Sequence, residues 1–332
     1  MVVIPFGLFF LLALVYSLSL AKKNGDKVGT ELAEVLNDLK SKGIKPVQRG
    51  NVPLRGKAAW IYGSTLREKG SSYIVEEFRK LGMTHIFVLL KGTSGTVIKD
   101  TIIDLTPKAH EKGMYVHAWT ACFADSGWTK DKPSPESYEY RKYLLQVISD
   151  FLTTNASGHY IDGIHLDYIR YGSSAQDKWG LVSSFVKEVK ELVTAVSPGA
   201  VLSIASKAEN YISKIALSNS ALFYGQNYTD LAKYVDLFCP MTYYLDYGIA
   251  PEDVGMANRW VKELTNKPVF AGIQLHPSEA SATQGKDPSV REIERNLNSC
   301  SENGIDGVIF YRFEFIIQNS DIESTILEHH SF

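Results

Sequence analysis

Residues 160–171 read YIDGIHLDYIRY, a β-rich run of apolar residues interrupted by Asp162, His165, Asp167 and Arg170. Alternate residues of a strand point to opposite faces, so His165 and Asp167 share one face while Ile164 and Leu166 share the other. If the Ile164 and Leu166 face packs against helices, the charged face points inward, where a carboxylate is costly unless it is paired or used. Arg170 is the nearest partner by sequence. On a regular strand it projects to the other face, so it reaches Asp167 only if the chain turns back.

The segment has an echo further on, since GHYIDGIHLDYIR and NGIDGVIFYRFE share an Asp-Gly step leading into a strand. Between and around the two copies, short β-rich runs alternate with longer segments of helical periodicity. The runs are AAWIYGS (58–64), HIFVLL (85–90), YVHAWTA (115–121), IDGIHLDYI (161–169), VLSIAS (201–206), VDLFCPMTYY (235–244), VFAGIQL (269–275) and DGVIFYRF (306–313). Helical segments fall at 72–82, 137–155, 179–196, 254–266 and 289–304, several closed by Gly or Asn. Eight β-then-α units over residues 57–332 predict an α/β fold of the (β/α)8 TIM-barrel type. A doubly wound sheet is the alternative. The turn after the first strand, YGSTLREKG, has no glycine cradle for a dinucleotide or phosphate, which disfavours it.

Composition agrees with one large soluble core. The 332 residues are 45% hydrophobic and 22% charged with a formal charge of -2, a balance that gives no sign of nucleic-acid binding. Residues 1–21 form a separate targeting segment, because Met1 to Leu20 carry no charged side chain and are dense in apolar residues. Ser19 and Ala21 offer small residues for cleavage of a signal peptide. The lack of a basic flank before them and the length of the run fit a retained membrane anchor equally well, although in an anchor Lys22 and Lys23 would keep the flank that carries them in the cytoplasm. The expectation is a secreted or membrane-anchored extracellular protein. Residues 22–56 read as a polar linker with one amphipathic helix, in which Leu32, Val35, Leu36 and Leu39 recur at helical spacing to form a tether or a cap. Cys122, Cys239 and Cys300 are too few and too far apart for a disulfide framework, and Asn155 and Asn227 stand in glycosylation-type triplets.

In a barrel of this type the chemistry sits where the strands end, at the C-terminal face. Asp167 stands at such an end, and its side chain suits a nucleophile or general base held ionised by Arg170. Glycoside hydrolysis needs a second carboxyl, and the strand ends offer Glu314, Asp246, Asp125 and Glu209. Glu314 ranks first because its YRFEF setting supplies aromatic neighbours. Aromatic residues also cluster near strand ends: Tyr62, Trp119, Trp128, Tyr168, Tyr171, Tyr243, Tyr244 and Tyr311. Trp119, Tyr243 and Tyr311 are the best placed of these to stack on sugar rings. His165, Arg170, Tyr168, Met241 and Gln274 complete the candidate substrate contacts. His117, His165 and His276 lack the spacing of a metal site, and no cofactor is implied.

DGIHLDYIRY, VDLFCPMTYY and GVIFYRFEF together resemble the glycosyl-hydrolase-like family 10, with a more distant similarity to the family-18 chitinases. The resemblance covers roughly residues 57–330 and implies a barrel with a carbohydrate cleft. Asp162 and Asp167 match the first and last Asp of the chitinase D-G-x-D-x-D-x-E segment, and Met241 and Tyr243 match its M-x-Y. His165 replaces the middle Asp and Ile169 replaces the catalytic Glu, so chitinase chemistry is not implied. The expected function is hydrolysis of a polysaccharide or glycan by carboxylates. The alternatives are a glycan-binding barrel without catalysis and, less favoured, a barrel enzyme acting on a phosphorylated metabolite.

Overall fold

The computed structural model describes residues 29–332. Residues 1–28, and with them the targeting segment, lie outside the described residues. Eight parallel strands form one sheet: β1 (Gly56–Tyr62), β2 (Met83–Lys91), β3 (Tyr115–Ala121), β4 (Gly163–Asp167), β5 (Val201–Lys207), β6 (Leu237–Met241), β7 (Phe270–Gln274) and β8 (Gly307–Tyr311). They run in the order β6-β5-β4-β3-β2-β1-β8-β7, and each is followed by at least one helix on the outside. The β6–β7 seam is lightly laddered, by a bridge between Phe238 and Val269, a 3.1 Å bond from Phe238 N to Pro268 O, and a 2.9 Å bond from Thr242 Oγ1 to Gly272 O. The fold is a (β/α)8 TIM barrel, and every expected strand is present.

The alternation of side chains separates two apolar cores. Ile164 and Leu166 belong to the larger core between sheet and helices, as the strand reading predicts. The smaller core fills the barrel and is built around Trp60, Phe87, Trp119, Leu237, Phe270 and Ile309.

The Asp-Gly echo has a structural reason. Asp162, just before β4, accepts a hydrogen bond from Val116 N on β3 at 2.7 Å. Asp306, before β8, does the same for Val269 N at 3.0 Å, and Asp236, before β6, for Leu202 N at 2.9 Å. Each carboxylate ties the start of an even strand to its predecessor. The glycine that follows Asp162 and Asp306 is needed for room: a Cβ on Gly163 would lie 2.4 Å from His117 Nδ1, and one on Gly307 would lie 2.4 Å from Gly56 O.

The helix Thr30–Ser41 forms as its periodicity predicts, with Leu32, Val35, Leu36 and Leu39 buried in the outer core. It lies along the helix Tyr138–Thr153, where Tyr138 Oη donates to Glu34 at 2.7 Å and Arg141 sits between Glu188 at 2.5 Å and Glu31 at 3.7 Å. The chain then crosses the N-terminal end of the barrel. There Arg49 donates to the carbonyls of Leu152 and Ile161 at 2.9 and 3.2 Å. The described part of this region packs on the outside of the barrel through the helix and through Arg49.

Polar groups inside the barrel are matched in part, since His85 Nε2 and His117 Nδ1 have no hydrogen-bond partner among the described residues. Trp60 Nε1 donates to His165 Nε2 at 3.1 Å, so the His165 proton sits on Nδ1, which donates to Ser203 Oγ at 2.9 Å. His85 Nδ1 and His117 Nε2 share a bond at 3.1 Å, and His117 stacks on Phe87 at 4.3 Å. Burial holds all three histidines neutral: it lowers His85 to about 4, His165 to about 3, and His117 well below the usual imidazole range. In the unfolded chain they titrate near 6.5. Their contribution to stability is therefore complete above about pH 6.5 and is lost as pH falls toward 4, because the unfolded state takes up protons first. Urea midpoints measured across this range should decline, by up to about 1.4 kcal/mol per pH unit for each proton. His165→Gln should make the decline shallower; an unchanged slope would show that His165 does not titrate on unfolding.

Candidate active site

Asp167 is the last residue of β4 and is 7% exposed at the C-terminal mouth of the barrel. The next residue, Tyr168, takes a left-handed backbone conformation at φ 51, and its N–H donates to Asp167 Oδ1 at 2.6 Å. Trp119, on the neighbouring strand, donates its Nε1 proton to Oδ2 at 3.1 Å. The left-handed turn is what a regular strand lacked. It brings Arg170 back, with Nη1 3.5 Å from Asp167 Oδ1 and the guanidinium 4.3 Å from the centre of the Tyr168 ring. The carboxylate thus has one backbone donor, one indole donor and an adjacent cation.

Around it lies a bowl of aromatic rings. Trp119 is stacked with Tyr62 at 5.9 Å and meets Tyr311 edge-on at 6.1 Å. Tyr311 stacks on Tyr243 at 5.6 Å, and Tyr243 on Tyr247 at 6.3 Å. His276 presents its edge to both Tyr243 and Tyr311, at 5.1 and 5.3 Å. The hydroxyls of Tyr62 and Tyr311 are 3.3 Å apart. Burial, followed by neighbouring phenols and the Asp167 charge, raises the Tyr243 and Tyr311 phenols far above their ordinary range, so both stay protonated donors. Two cations rim the bowl: Arg312 lies 4.2 Å over the Tyr62 ring, and Lys207 lies 4.8 Å over that of Tyr247. Such a lining offers C–H-stacking faces, hydroxyl donors and one carboxylate, the groups that a sugar engages.

Trp119, Tyr168, Arg170, Met241, Tyr243 and Tyr311 all meet at this mouth, as expected. Other candidates do not. His165 has no exposed surface; it lies one layer below Asp167, held by Trp60 and Ser203. Gln274 is equally buried, since its Oε1 accepts from Leu245 N at 3.0 Å and its Nε2 donates to Asp246 at 3.1 Å. Asp162 is at the opposite end of β4 and serves the strand pin described above. Trp128 packs outside the barrel on Tyr143, and Tyr244 bonds Glu292 there.

The four expected partner carboxylates are all engaged. Glu314 Oε1 accepts from Tyr62 N at 3.0 Å and Thr65 Oγ1 at 2.6 Å, and Oε2 accepts from Arg312 Nε at 3.0 Å. Asp246 Oδ1 accepts from Gln274 Nε2, Ser278 Oγ and Glu279 N at 3.1, 2.9 and 2.8 Å. Asp125 is buried against Lys91 at 2.9 Å, and Glu209 pairs with Lys207. Sequence reasoning passed over Tyr247, Lys207 and Arg312, and weighed His276 only as a metal ligand. Tyr247 and Arg312 each follow a strand-end aromatic within a few residues, which was their available signal.

No family model and no curated protein matches the chain. Solved structures do. The glycoside hydrolase domain of PgaB (BpsB) from Bordetella bronchiseptica superposes with a TM-score of 0.62 at 11% identity, covering 81% of this chain and 97% of that one. The endo-beta-1,4-mannanase from Thermotoga petrophila gives 0.60 at 14% identity, over 79% and 68% of the two chains. Chitinase RmChi1 from Rhizomucor miehei gives 0.55 at 12% identity, over 82% and 99%. At such identities the likeness is one of fold: this chain shares the TIM barrel of these glycoside hydrolases.

The geometry makes Glu314 a brace between β1 and the segment after β8. Glu314→Ala leaves three donors without an acceptor, and urea denaturation should show a loss of about 2–4 kcal/mol. The exposed control Glu328→Ala should stay within about 0.5 kcal/mol.

Proposed function

We propose that the protein is a glycoside hydrolase acting on a polysaccharide or glycan at the C-terminal mouth of the barrel, with Asp167 as its essential carboxylate. The observation that supports this most is the setting of Asp167. Among the described residues it is the one carboxylate whose charge bears on Tyr168, Tyr243, Tyr247 and Tyr311 together, at the centre of the aromatic bowl. In this reading the rings seat the sugar, and Trp119 and the Tyr168 amide aim the carboxylate. Arg170 lies beside it, and the carboxylate is placed to act at the anomeric carbon as nucleophile or base. The neighbours' names provide a test panel of mannan, chitin oligosaccharides and β-galactosides. Asp167→Asn should lower turnover of a cleaved member by about 100-fold or more, while melting temperature and sugar affinity stay near wild type. Near-normal turnover in this variant would leave Asp167 only a structural part.

A second reading, a glycan-binding barrel without catalysis, draws support from the engagement of Glu314 and Asp246 by three donors each. It predicts sugar binding to wild type and Asp167→Asn alike, with hydrolysis by neither.

The composition of residues 1–20 supports export, ending in a secreted or membrane-anchored extracellular protein. Among the described residues no helix is long and apolar enough to cross a membrane. Fractionation of expressing cells should find the protein in the membrane or the medium; full-length protein in the soluble cytoplasm would refute export.

A further inference from the structure

The row of rings in the bowl does not stop at Tyr247. Lys207, the last residue of β5, lies with its Nζ between two tyrosines, 4.8 Å from the centre of the Tyr247 ring and 5.1 Å from that of Tyr224, and it donates to Tyr247 Oη at 3.0 Å. Tyr224 in turn meets Phe223 edge-on at 5.0 Å. From Tyr243 to Phe223 no step is longer than 6.3 Å, and the series leaves the bowl over the end of β5. The backbone at its outer end is fixed. Tyr224 O accepts from Tyr171 N at 3.0 Å and Phe223 O from Ala175 N at 2.7 Å, both donors lying on the segment after β4. Buried Gln226 ties the chain to β5, accepting from Lys207 N at 2.7 Å and donating to Ala205 O at 3.1 Å. The Tyr224 hydroxyl donates to Glu209 at 3.1 Å, and Glu209 pairs with Lys207. Phe223 nevertheless keeps 50% of its surface in solvent. Among the described residues the exposed aromatic side chains are Tyr73, Tyr168 and Phe223, and the last two stand beside the mouth on the segments after β4 and β5. An exposed ring on a fixed backbone gives up little conformational freedom when a ligand covers it.

We propose that Phe223 and Tyr224 form a second sugar platform, joined to the bowl through Lys207 and Tyr247, so that the ligand of this site is a glycan chain of several sugars rather than a single sugar. This rests on the carbohydrate reading of the bowl given above, and not on hydrolysis at Asp167. The sugar beside Asp167 is seated by Trp119, Tyr243 and Tyr311, and later units of the chain run over Tyr247 to the Phe223 face. A sugar ring presents apolar C–H groups on its face and hydroxyls around its rim, which suits aromatic faces flanked by polar groups. The Lys207–Glu209 pair supplies a donor and an acceptor beside these rings, and its two charges offset one another, which suits a neutral sugar.

The test titrates the full chain carrying Asp167→Asn, so that no ligand is consumed, with the disaccharide and the hexasaccharide of mannan, of chitin and of β-galactan. The hexasaccharide of the recognised sugar should bind about 10-fold or more tighter than its disaccharide. Phe223→Ala should weaken the hexasaccharide by about 5-fold or more while the disaccharide stays within about 2-fold, and Phe223→Trp should restore the difference. Ile215, 74% exposed on the same helix Lys214–Phe223, is the control, and Ile215→Ser should change neither affinity. Equal affinities for the two lengths, or an unchanged hexasaccharide affinity in Phe223→Ala, would overturn the platform. So would an equal fall on both lengths in Phe223→Ala, or a matching fall in Ile215→Ser, since either would mark a general disturbance of the helix. Length-dependent binding without hydrolysis of the hexasaccharide by wild type would remove the glycosidase reading and leave the platform standing. If no member of the panel binds at either length, the carbohydrate reading and the platform fall together.

Discussion

The hydrogen bond from the Trp60 indole to Nε2 of His165 determines what the inside of this barrel can hold. A barrel of eight strands has a narrow interior, and each inward polar group must find its partner from a neighbouring strand in the same layer. Trp60 satisfies one nitrogen of His165 and Ser203 the other, which closes the middle layer as a neutral, fully matched floor. Trp60 also packs against Trp119 at 6.3 Å and Tyr311 at 5.8 Å, so the floor sets the tilt of the rings above it. Trp119 in turn aims its indole at Asp167. The carboxylate at the mouth is thus held by a stack of aromatic contacts that begins in the layer below it.

That layering explains how far the sequence could be read. Strand number, order and faces are legible, because the β-rich runs, the helical periods and the Ile164 and Leu166 alternation are local properties. Depth is not local. His165, Asp167 and Gln274 all sit on inward faces, yet only Asp167 reaches the mouth. Which inward residue ends up at which level depends on strand register, as in the pairing of His165 with Trp119 on one side and Ser203 on the other. The left-handed turn at Tyr168 was illegible for a different reason. Tyrosine has no preference for that conformation; it is imposed by the Asp167 carboxylate accepting the Tyr168 amide. Glu314 and Asp246 looked like free strand-end carboxyls because their partners, Tyr62 and Thr65 in one case and Ser278 and Glu279 in the other, lie more than thirty residues away in sequence.

The carboxylates of the mouth divide by what surrounds them. Glu314, Asp125 and Asp246 lie among donors that point at them from side chains and backbone on several sides, an arrangement that braces loops against strands. Asp167 has fewer donors and a different neighbourhood, since phenol hydroxyls and the flat faces of Trp119, Tyr62 and Tyr311 occupy the space next to it. Those hydroxyls stay protonated through burial, so they can donate to a substrate oxygen but cannot compete with Asp167 as bases. The cations at the rim reinforce this. Arg312 and Lys207 are each paired with a carboxylate and laid over a tyrosine ring, which uses their charge locally and leaves Arg170 as the cation nearest Asp167.

Replacement of the chitinase-type Glu by Ile169 then acquires a physical meaning. Ile169 is fully buried in the outer core, so the chain after β4 turns that position away from the mouth and toward the helices. A carboxyl there would have to be desolvated against apolar side chains, at a cost of several kcal/mol. The same turn that buries Ile169 swings Arg170 under the Tyr168 ring and against Asp167. The end of the fourth strand thus presents one carboxylate with a cation beside it, while position 169 anchors the turn to the outer core.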